Sequence, residues 1–213
     1  MGKLNGKTIA ILATDGYEQS ELMSPKHALE AEGARVDVIA PHEGRIRGWK
    51  DKNWAEAVDV TSTIEMTDAG SYDALMLPGG VMNPDQLRSD QAAVAFVGAF
   101  VGAKKPIAAI CHGPWTLIEA GAVKGLRMTS YPSIKTDLIN AGAKWVDETV
   151  VVDRGIVTSR KPDDLPAFNQ LMVEVFAAGG VAARRKKKAA TEARAKRPSR
   201  STPRSTKQKA NRR

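Results

Sequence analysis

The chain has 213 residues, 42% of them hydrophobic, and its formal net charge is +8. This length and composition suffice for one well-packed globular domain. The single cysteine excludes an intramolecular disulfide framework and fits a reducing cytoplasm, and three histidines without a cysteine pair argue against a structural zinc site. No apolar run approaches the ~18 residues of a membrane span, and the first residues lack the features of a signal peptide, so we expect neither a membrane segment nor a leader.

The positive charge is concentrated at the end of the chain. Residues 181–213 contain 14 Lys or Arg and one acidic residue, whereas residues 1–180 contain 18 basic and 23 acidic residues. The last segment has no aromatic residue and a single large aliphatic one, so it cannot bury enough surface to offset chain entropy. We therefore predict a folded α/β domain over residues 1–180 and a disordered basic tail over residues 181–213.

In chain order, short apolar runs alternate with segments of helical periodicity. The predicted strands are Thr8–Ala13, Arg35–Ala40, Val58–Ile64, Ala74–Leu77, Ile107–Ile110, Arg127–Ser130, and a hairpin that pairs Val146–Val152 with Ile156–Ser159. The predicted helices are Tyr17–Glu32, Gln91–Gly102, a helix after Pro114, Ser133–Ala141 and Asp163–Ala178, and residues 42–53 are predicted to form a loop or hairpin insertion. This alternation predicts a doubly wound, mostly parallel sheet sandwiched by helices, with ligands at the carboxyl ends of the strands.

Cys111 lies at the most informative position of this pattern. It follows the predicted strand Ile107–Ile110 directly, and Gly113-Pro114 then opens a helix. A strand, a reactive residue, a tight turn and a helix form a nucleophile elbow. A helix N-terminus favours the thiolate, so we expect a thiol pKa below about 7 instead of the ordinary value near 8.5. An inert core cysteine is the alternative interpretation.

The candidate partners of Cys111 are few. No histidine follows His112, which excludes a histidine taken from far downstream, and His27 and His42 are predicted to be surface or packed residues. His112 can act through its side chain or through its backbone N–H. Glu18 and Glu21 follow the first strand and are the candidate carboxyl groups, although acidic residues also favour the first turn of any helix.

Five motifs carry a resemblance to a known family. They are DGYEQSEL (15–22), LPGG (77–80), AICHGP (109–114), TSYPSIKTDLINAGAKWVD (129–147) and VTSRKPDDL (157–165). Residues 7–178 resemble the PfpI-type intracellular proteases within the Parkinson-linked deglycase superfamily. The resemblance implies a flavodoxin-like fold that assembles as a dimer or a larger homo-oligomer.

The resemblance also implies roles for particular residues. Cys111 corresponds to the nucleophile, Glu18 to the carboxylic acid that hydrogen-bonds its sulfur, and the backbone N–H groups of Gly80 and His112 to the oxyanion hole. Asp85 corresponds to a carboxylate that reaches the histidine of a neighbouring subunit, although it is Asp instead of Glu and lies one residue further from Gly80. Gly79 and Tyr131 correspond to residues of the substrate pocket.

Several activities are compatible with such a site. We predict a cytoplasmic, stress-protective cysteine enzyme, without cofactor or metal, that acts on reactive carbonyls or glycation adducts by thiolate attack on a carbonyl. A peptidase that uses the same cysteine and histidine is one alternative. A redox sensor or chaperone, in which Cys111 is oxidised and nothing is turned over, is the other.

The basic tail suggests a further partner. Its lysines and arginines, beginning with Arg184, Arg185, Lys186, Lys187 and Lys188, could neutralise DNA phosphates without reading bases. A solvated charge run is the alternative interpretation. On the first interpretation the tail holds a carbonyl-repair enzyme near the nucleoid.

Overall fold

A computed structural model describes residues 2–179 of the chain. The predicted basic tail, including Arg184 to Lys188, lies outside the described residues. Within residues 2–179 no helix combines the length and the apolar character needed to cross a membrane.

The centre of the domain is a seven-stranded sheet. Its strands are β1 (Thr8–Leu12), β3 (Arg35–Ala40), β6 (Ser62–Thr63), β7 (Ala74–Leu77), β8 (Ile107–Ile110), β11 (Val150–Asp153) and β12 (Ile156–Ser159). Their order is β11-β12-β8-β7-β1-β3-β6, and all neighbours are parallel except the β11–β12 hairpin. The predicted mostly parallel α/β sheet is therefore confirmed.

Helices cover both faces of this sheet. They are α1 (Gln19–Ala31), α2 (Met82–Ser89), α3 (Gln91–Gly102), α4 (Pro114–Glu119), α5 (Lys135–Asn140) and α6 (Leu165–Ala178). α1 and α6 pack on one face, where Ile9 and Ile11 of β1 point, and α2 to α5 pack on the other, where Ala10 and Leu12 point. This alternation follows from the two-residue period of a strand and explains why β1 is apolar at every buried position.

The segment between β3 and β6 forms a hairpin that the sequence defined only as a loop or hairpin insertion. β4 (Arg45–Lys50) pairs antiparallel with β5 (Asn53–Asp59), and β2 (Tyr17–Glu18) pairs parallel with β4. The predicted strand Val58–Ile64 is wrong as one unit, because its first residues belong to β5 and Ser62–Thr63 forms the short edge strand β6. The predicted helix start at Tyr17 is also two residues early.

The remaining elements are short. β9 (Arg127–Met128) and β10 (Lys144–Trp145) form a separate two-stranded parallel sheet, and single turns of 3₁₀ helix occur at Ala69–Ser71, Pro132–Ile134 and Pro162–Asp164. The turn Pro132–Ile134 leads from Tyr131 into α5. It thereby delimits one side of the region around Cys111, since Tyr131 N donates a hydrogen bond to Cys111 O over 2.9 Å.

Candidate active site

Cys111 occupies a strained position at the carboxyl end of the central strand β8. Its φ of +63° lies in the left-handed region that non-glycine residues rarely adopt, and its backbone N–H donates to Ser159 O over 3.0 Å. The side chain is only 6% exposed. α4 begins three residues later at Pro114, so the predicted strand, turn and helix are all present. A residue held in this conformation between rigid elements is typical of a functional site.

The carboxyl group beside the Cys111 sulfur is that of Glu21. The Glu21 side chain is fully buried beside the Cys111 thiol, close enough for each group to shift the pKa of the other. Its Oε2 accepts the Gly79 N–H over 3.0 Å, and its Oε1 has no hydrogen-bond partner among residues 2–179. The assignment of this role to Glu18 is wrong for this chain. The half-buried Glu18 instead accepts a hydrogen bond from Ser20 Oγ over 3.1 Å.

Local structure explains why Glu21 points inward. Tyr17 and Glu18 form β2, and because neighbouring strand residues face opposite sides, the fully buried Tyr17 leaves Glu18 on the outer side. α1 then places Glu21, Pro25 and Leu29 on its buried face at intervals of four residues.

The Pro78-Gly79-Gly80 turn closes over the pair of side chains. A Cβ on Gly79 would lie 2.5 Å from Glu21 Oε2 and 2.6 Å from Cys111 Cβ, so glycine is required for the two side chains to come together. Gly80 has a φ of +79°, and its N–H and that of His112 lie near the Cys111 sulfur, where both favour the thiolate over the thiol. These are the two backbone donors that the resemblance implied for an oxyanion hole, and that role stays a prediction.

Asn83, which the sequence analysis did not single out, hydrogen-bonds with the carbonyl groups of this turn. Its fully buried amide donates to Pro78 O and Gly79 O over 3.0 and 3.1 Å, and its Oδ1 accepts the Thr14 N–H over 2.8 Å. Asn83 belongs to α2, which the apolar pattern did not predict, so no sequence signal placed it here.

Burial dominates the protonation of Glu21 and Cys111. Removal from water, together with the nearby charge of Glu18, raises the pKa of Glu21 from 4.5 to about 8. Burial, followed by the negative charge that Glu21 carries when ionised, also raises the pKa of the Cys111 thiol. The N–H groups of Gly80 and His112 oppose this shift without reversing it. The expected lowering of the thiol pKa by the helix terminus is therefore contradicted.

His112 is positioned to exchange a proton with the sulfur. Its Nδ1 lies 3.1 Å from Cys111 Sγ, and its Nε2 lies 3.0 Å from Ser133 Oγ. The imidazole stacks on Tyr131 with 4.8 Å between ring centroids, and Trp115 meets it edge-on at 5.2 Å. Burial lowers the pKa of His112, which favours the neutral ring. Ser133 lies within a quoted family motif, but no spacing argument singled it out.

The other candidate residues lie further from the sulfur. Asp85, in the first turn of α2, has a side chain that is 58% exposed and pairs with Arg88 over 3.3 Å. Its predicted contact with a second subunit stays a prediction. His27 is exposed on α1, and the exposed His42 lies 3.5 Å from the Asp15 carboxylate.

A neighbouring cavity and the types of side chain near Cys111 describe the rest of this region. A cavity of about 310 Å³ adjoins Tyr131 and is lined by Pro132, Asp147, Arg160 and Lys161 as well. Over residues 2–179, no group of three or more His, Cys, Asp or Glu side chains is arranged to hold a metal ion. The reactive groups of the site are thus a thiol, a carboxyl group, an imidazole and two backbone N–H donors.

The chain is similar to known proteins over most of the described residues. Residues 7–175 match the DJ-1/PfpI family. The chain belongs to this family. It is 42% identical over 173 residues to protein/nucleic acid deglycase 2 of Escherichia coli (strain K12), a match that covers 81% of this chain and 99% of that protein. It is 47% identical over 164 residues to YraA of Bacillus subtilis (strain 168), named as a candidate cysteine protease, with 77% and 95% of the two chains covered.

Solved structures of the family share the fold. A two-domain protein of Anabaena variabilis ATCC 29413, with DJ-1/ThiJ/PfpI-like and ferritin-like domains, superposes with a TM-score of 0.75 at 34% identity. That match covers 79% of this chain and 47% of the other, so the chain spans about half the length of this relative. DJ-1beta of Drosophila melanogaster superposes with a TM-score of 0.74 at 24% identity, covering 90% and 98% of the two chains. Family and fold agree with the resemblance drawn from the motifs.

Proposed function

We propose that this DJ-1/PfpI family member is a cysteine-dependent enzyme that acts on small reactive carbonyls or on the early adducts that they form with amines. One observation carries the proposal: Glu21, His112 and the N–H groups of Gly80 and His112 surround the Cys111 sulfur. Such an arrangement combines a nucleophile, two groups that move protons and two donors for a developing negative charge.

The first step is addition of sulfur to a carbonyl carbon. With the proton of the neutral imidazole on Nε2 and donated to Ser133 Oγ, Nδ1 is free to accept the thiol proton over 3.1 Å. The carbon–sulfur bond then forms while the carbonyl π electrons move to oxygen. The resulting alkoxide takes hydrogen bonds from the N–H groups of Gly80 and His112, which are fixed by the turn and need not reorganise.

A second proton transfer converts a 2-oxoaldehyde adduct into product. The hydrogen on the former aldehyde carbon moves as a proton to the adjacent carbonyl carbon through a base, for which Glu21 and His112 are the adjacent candidates. The aldehyde carbon is oxidised to a thioester while the neighbouring ketone is reduced to an alcohol, so no external electron carrier is required. Water then releases a 2-hydroxy acid and restores the thiol. When the aldehyde carbon carries an amine as a carbinolamine, its C–N bond breaks first: the hydroxyl of the carbinolamine becomes the aldehyde carbonyl, its proton goes to the departing amine, and the sulfur then adds to the aldehyde.

Burial favours small substrates over peptides. Cys111 is only 6% exposed, Gly79 packs against its Cβ, and His112 lies beside its sulfur, so an aldehyde of a few atoms reaches it more easily than an extended peptide does. The deglycase name of the relative in E. coli supports the same choice. The cysteine protease name of YraA supports the peptidase alternative, which requires the region above Cys111 to open.

Purified protein tests the proposal directly. We expect wild-type protein to convert methylglyoxal to lactate and to release amine from freshly formed methylglyoxal–lysine adducts, whereas Cys111→Ser does neither. Fluorogenic peptides, assayed in parallel, test the peptidase alternative. Absence of lactate and of amine release, with oxidation of Cys111 as the only reaction, would favour the redox sensor over any enzyme. We place the enzyme in the cytoplasm, where its single thiol stays reduced.

A further inference from the structure

Asn83 is a buried amide that the chemistry proposed for Cys111 does not use. It lies in the first turn of α2 and has no exposed surface. Its Nδ2 donates to Pro78 O over 3.0 Å and to Gly79 O over 3.1 Å, and its Oδ1 accepts the Thr14 N–H over 2.8 Å. One side chain thereby joins three segments, namely the chain after β1, the turn after β7 and α2.

These three contacts define the orientation of the Asn83 amide. The two carbonyl oxygens of the turn can only accept hydrogen bonds, whereas the Thr14 N–H can only donate one. The NH₂ group of Asn83 therefore faces the turn, and its oxygen faces Thr14. Aspartate has the same shape but offers no N–H to the turn, and alanine offers neither a donor nor an acceptor. Asparagine is thus the side chain that satisfies all three backbone groups at once.

One of the two carbonyl groups belongs to the peptide unit that supplies the Gly80 N–H. A peptide unit is planar and trans, so its C=O and its N–H point in opposite directions. Asn83 binds the oxygen of Gly79 on one side of this unit, and the Gly80 N–H points to the other side, where it lies near the Cys111 sulfur. At that position the N–H favours the thiolate over the thiol. The contact with Asn83 therefore determines where a donor at the active site points.

The peptide unit between Gly79 and Gly80 needs such a contact, because its own residues restrict it little. A Cβ on Gly79 would lie 2.6 Å from Cys111 Cβ, and one on Gly80 would lie 2.5 Å from a backbone oxygen, so both positions require glycine. Two glycines leave the peptide plane freer to turn than any other pair of residues. A half-turn would direct Gly79 O at the sulfur and repel a thiolate or an alkoxide. Of the two donors to Gly79 O, Asn83 is the closer, since the Glu18 N–H lies 3.4 Å away.

We propose that Asn83 is a positioning residue that fixes the peptide unit between Gly79 and Gly80, so that the Gly80 N–H faces the negative charge developing at Cys111. The role rests on the proposed attack of the Cys111 sulfur on a carbonyl carbon. A donor that is already oriented stabilises this charge without reorganisation, whereas a peptide that turns freely must first be ordered. Because the charge develops in the transition state, Asn83 affects kcat more than KM.

A role for Asn83 in packing alone predicts the opposite change in the reactivity of the thiol. If Asn83 only supported the turn, its loss would loosen the cover over the buried Cys111 and make alkylation faster. If Asn83 orients the Gly80 N–H, its loss removes a group that favours the thiolate, so alkylation becomes slower. The direction of the change separates the two roles, and it can be measured without turnover of any carbonyl substrate.

The test compares the full-length wild-type chain with Asn83→Ala and Asn83→Asp. With methylglyoxal as substrate, kcat should fall about 10- to 100-fold in both variants while KM stays within about threefold of wild type. Asn83→Asp keeps the acceptor for Thr14 and loses only the two donors to the turn. Alkylation of Cys111 by iodoacetamide at one fixed pH should be about 5- to 10-fold slower in Asn83→Ala, which adds no charge.

The matched control is Tyr72→Phe. It removes another buried hydrogen bond, from Tyr72 Oη to Asp37 Oδ2 over 3.0 Å, at the opposite end of β7 from the Gly79–Gly80 turn. This variant should lower the urea midpoint of unfolding and leave both kcat and the alkylation rate unchanged. It thereby shows whether a loss of stability alone changes either readout.

Two results would overturn the proposal. The first is a kcat within about twofold of wild type in both Asn83 variants. The second is alkylation of Asn83→Ala as fast as that of wild-type protein, or faster. If the wild-type chain does not convert methylglyoxal, the proposed reaction fails, and the alkylation rates alone then decide the role of Asn83. If Asn83→Ala fails to fold by circular dichroism, Asn83→Ser, which is neutral and too short to reach both carbonyl groups, takes its place with the same expected direction.

Discussion

The titratable groups at the two ends of the central sheet differ in how deeply they are buried. At the carboxyl end, one carboxyl group and one imidazole are buried against a thiol, and their contacts are set to within hydrogen-bond distances. At the amino end, Lys104 and Lys105 border open cavities and meet no carboxylate within salt-bridge distance among the described residues. The buried groups interact strongly with one another, so the pKa of each depends on its immediate neighbours. Solvent and salt screen the exposed lysines, so their electrostatic effect depends mainly on how many charges are present.

This difference implies that substitutions at the two ends act in different ways. A buried group interacts strongly with its neighbours, so removing one partner changes the protonation of the others. An exposed cation is screened by salt, and its loss changes affinity by a roughly constant increment. The following predictions use this contrast, from the largest expected effect to the smallest.

Cys111→Ser should have the largest effect on turnover. Turnover of carbonyl substrates should fall at least about 10⁴-fold, because the hydroxyl is a far weaker nucleophile than the thiol and no second cysteine can replace it. Turnover by Cys111→Ser within about tenfold of wild-type protein, with the fold intact, would contradict the role of Cys111 as the nucleophile.

Glu21 should make the stability of the domain fall as pH rises. In the folded state its pKa is raised from 4.5 to about 8, so between these values the native protein retains a proton that the unfolded chain releases. The free energy of unfolding should therefore decrease across this range, by up to about 5 kcal/mol at about 1.4 kcal/mol per pH unit. Urea unfolding at a series of pH values measures it.

The matched pair for that experiment is Glu21→Gln and Glu18→Gln. Glu21→Gln should remove the decrease between pH 4.5 and 8, because its neutral amide has no proton to release. Glu18→Gln should keep the decrease and only end it at a lower pH, because loss of the Glu18 charge lowers the pKa of Glu21 while burial still raises it. If Glu18→Gln removed the pH-dependent decrease in the free energy of unfolding as completely as Glu21→Gln, Glu18 would be the carboxyl group with the raised pKa.

Glu21→Gln should also change the reactivity of Cys111. Turnover should fall about 100-fold through loss of a proton-transfer group. The midpoint of iodoacetamide alkylation against pH should move down, since the ionised carboxylate that disfavours the thiolate is gone. Glu18→Gln again serves as control and should keep a midpoint above the ordinary thiol value of about 8.5. A wild-type midpoint near 7 would contradict the raised pKa.

Ser133→Ala should have the smallest effect. Loss of one hydrogen bond to His112 Nε2 should lower turnover about 2- to 10-fold and leave the imidazole in a mixture of tautomers. Ring ¹⁵N chemical shifts report the tautomers, and Ser133→Thr, which keeps the hydroxyl, should restore the wild-type spectrum. Ser130→Ala is the control, because Ser130 Oγ contacts Tyr131 O and Trp145 and lies in the same segment. An unchanged tautomer in Ser133→Ala would remove the proposed role of Ser133.

Much of the fold could be predicted because its elements are marked by local patterns. The bounds of α3, Gln91–Gly102, and of β8, Ile107–Ile110, agree with the predicted ones, since an Asp cap precedes the helix and Pro106 precedes the strand. α2 was missed because it is only eight residues long and five of its side chains are polar or charged. The β4–β5 hairpin was left undefined because its residues are largely exposed and lack a clear apolar alternation.

The sequence by itself determined that this chain is an α/β domain of the DJ-1/PfpI family with Cys111 at an elbow that follows a buried strand. These features depend on local chemistry: an apolar strand, a turn that requires glycine and a proline that opens a helix. Only the tertiary structure decided which carboxyl group meets the sulfur and in which direction the thiol pKa moves. Both follow from packing, because α1 rotates Glu21 inward at four-residue spacing with Pro25 and Leu29, and the burial that results outweighs the helix terminus.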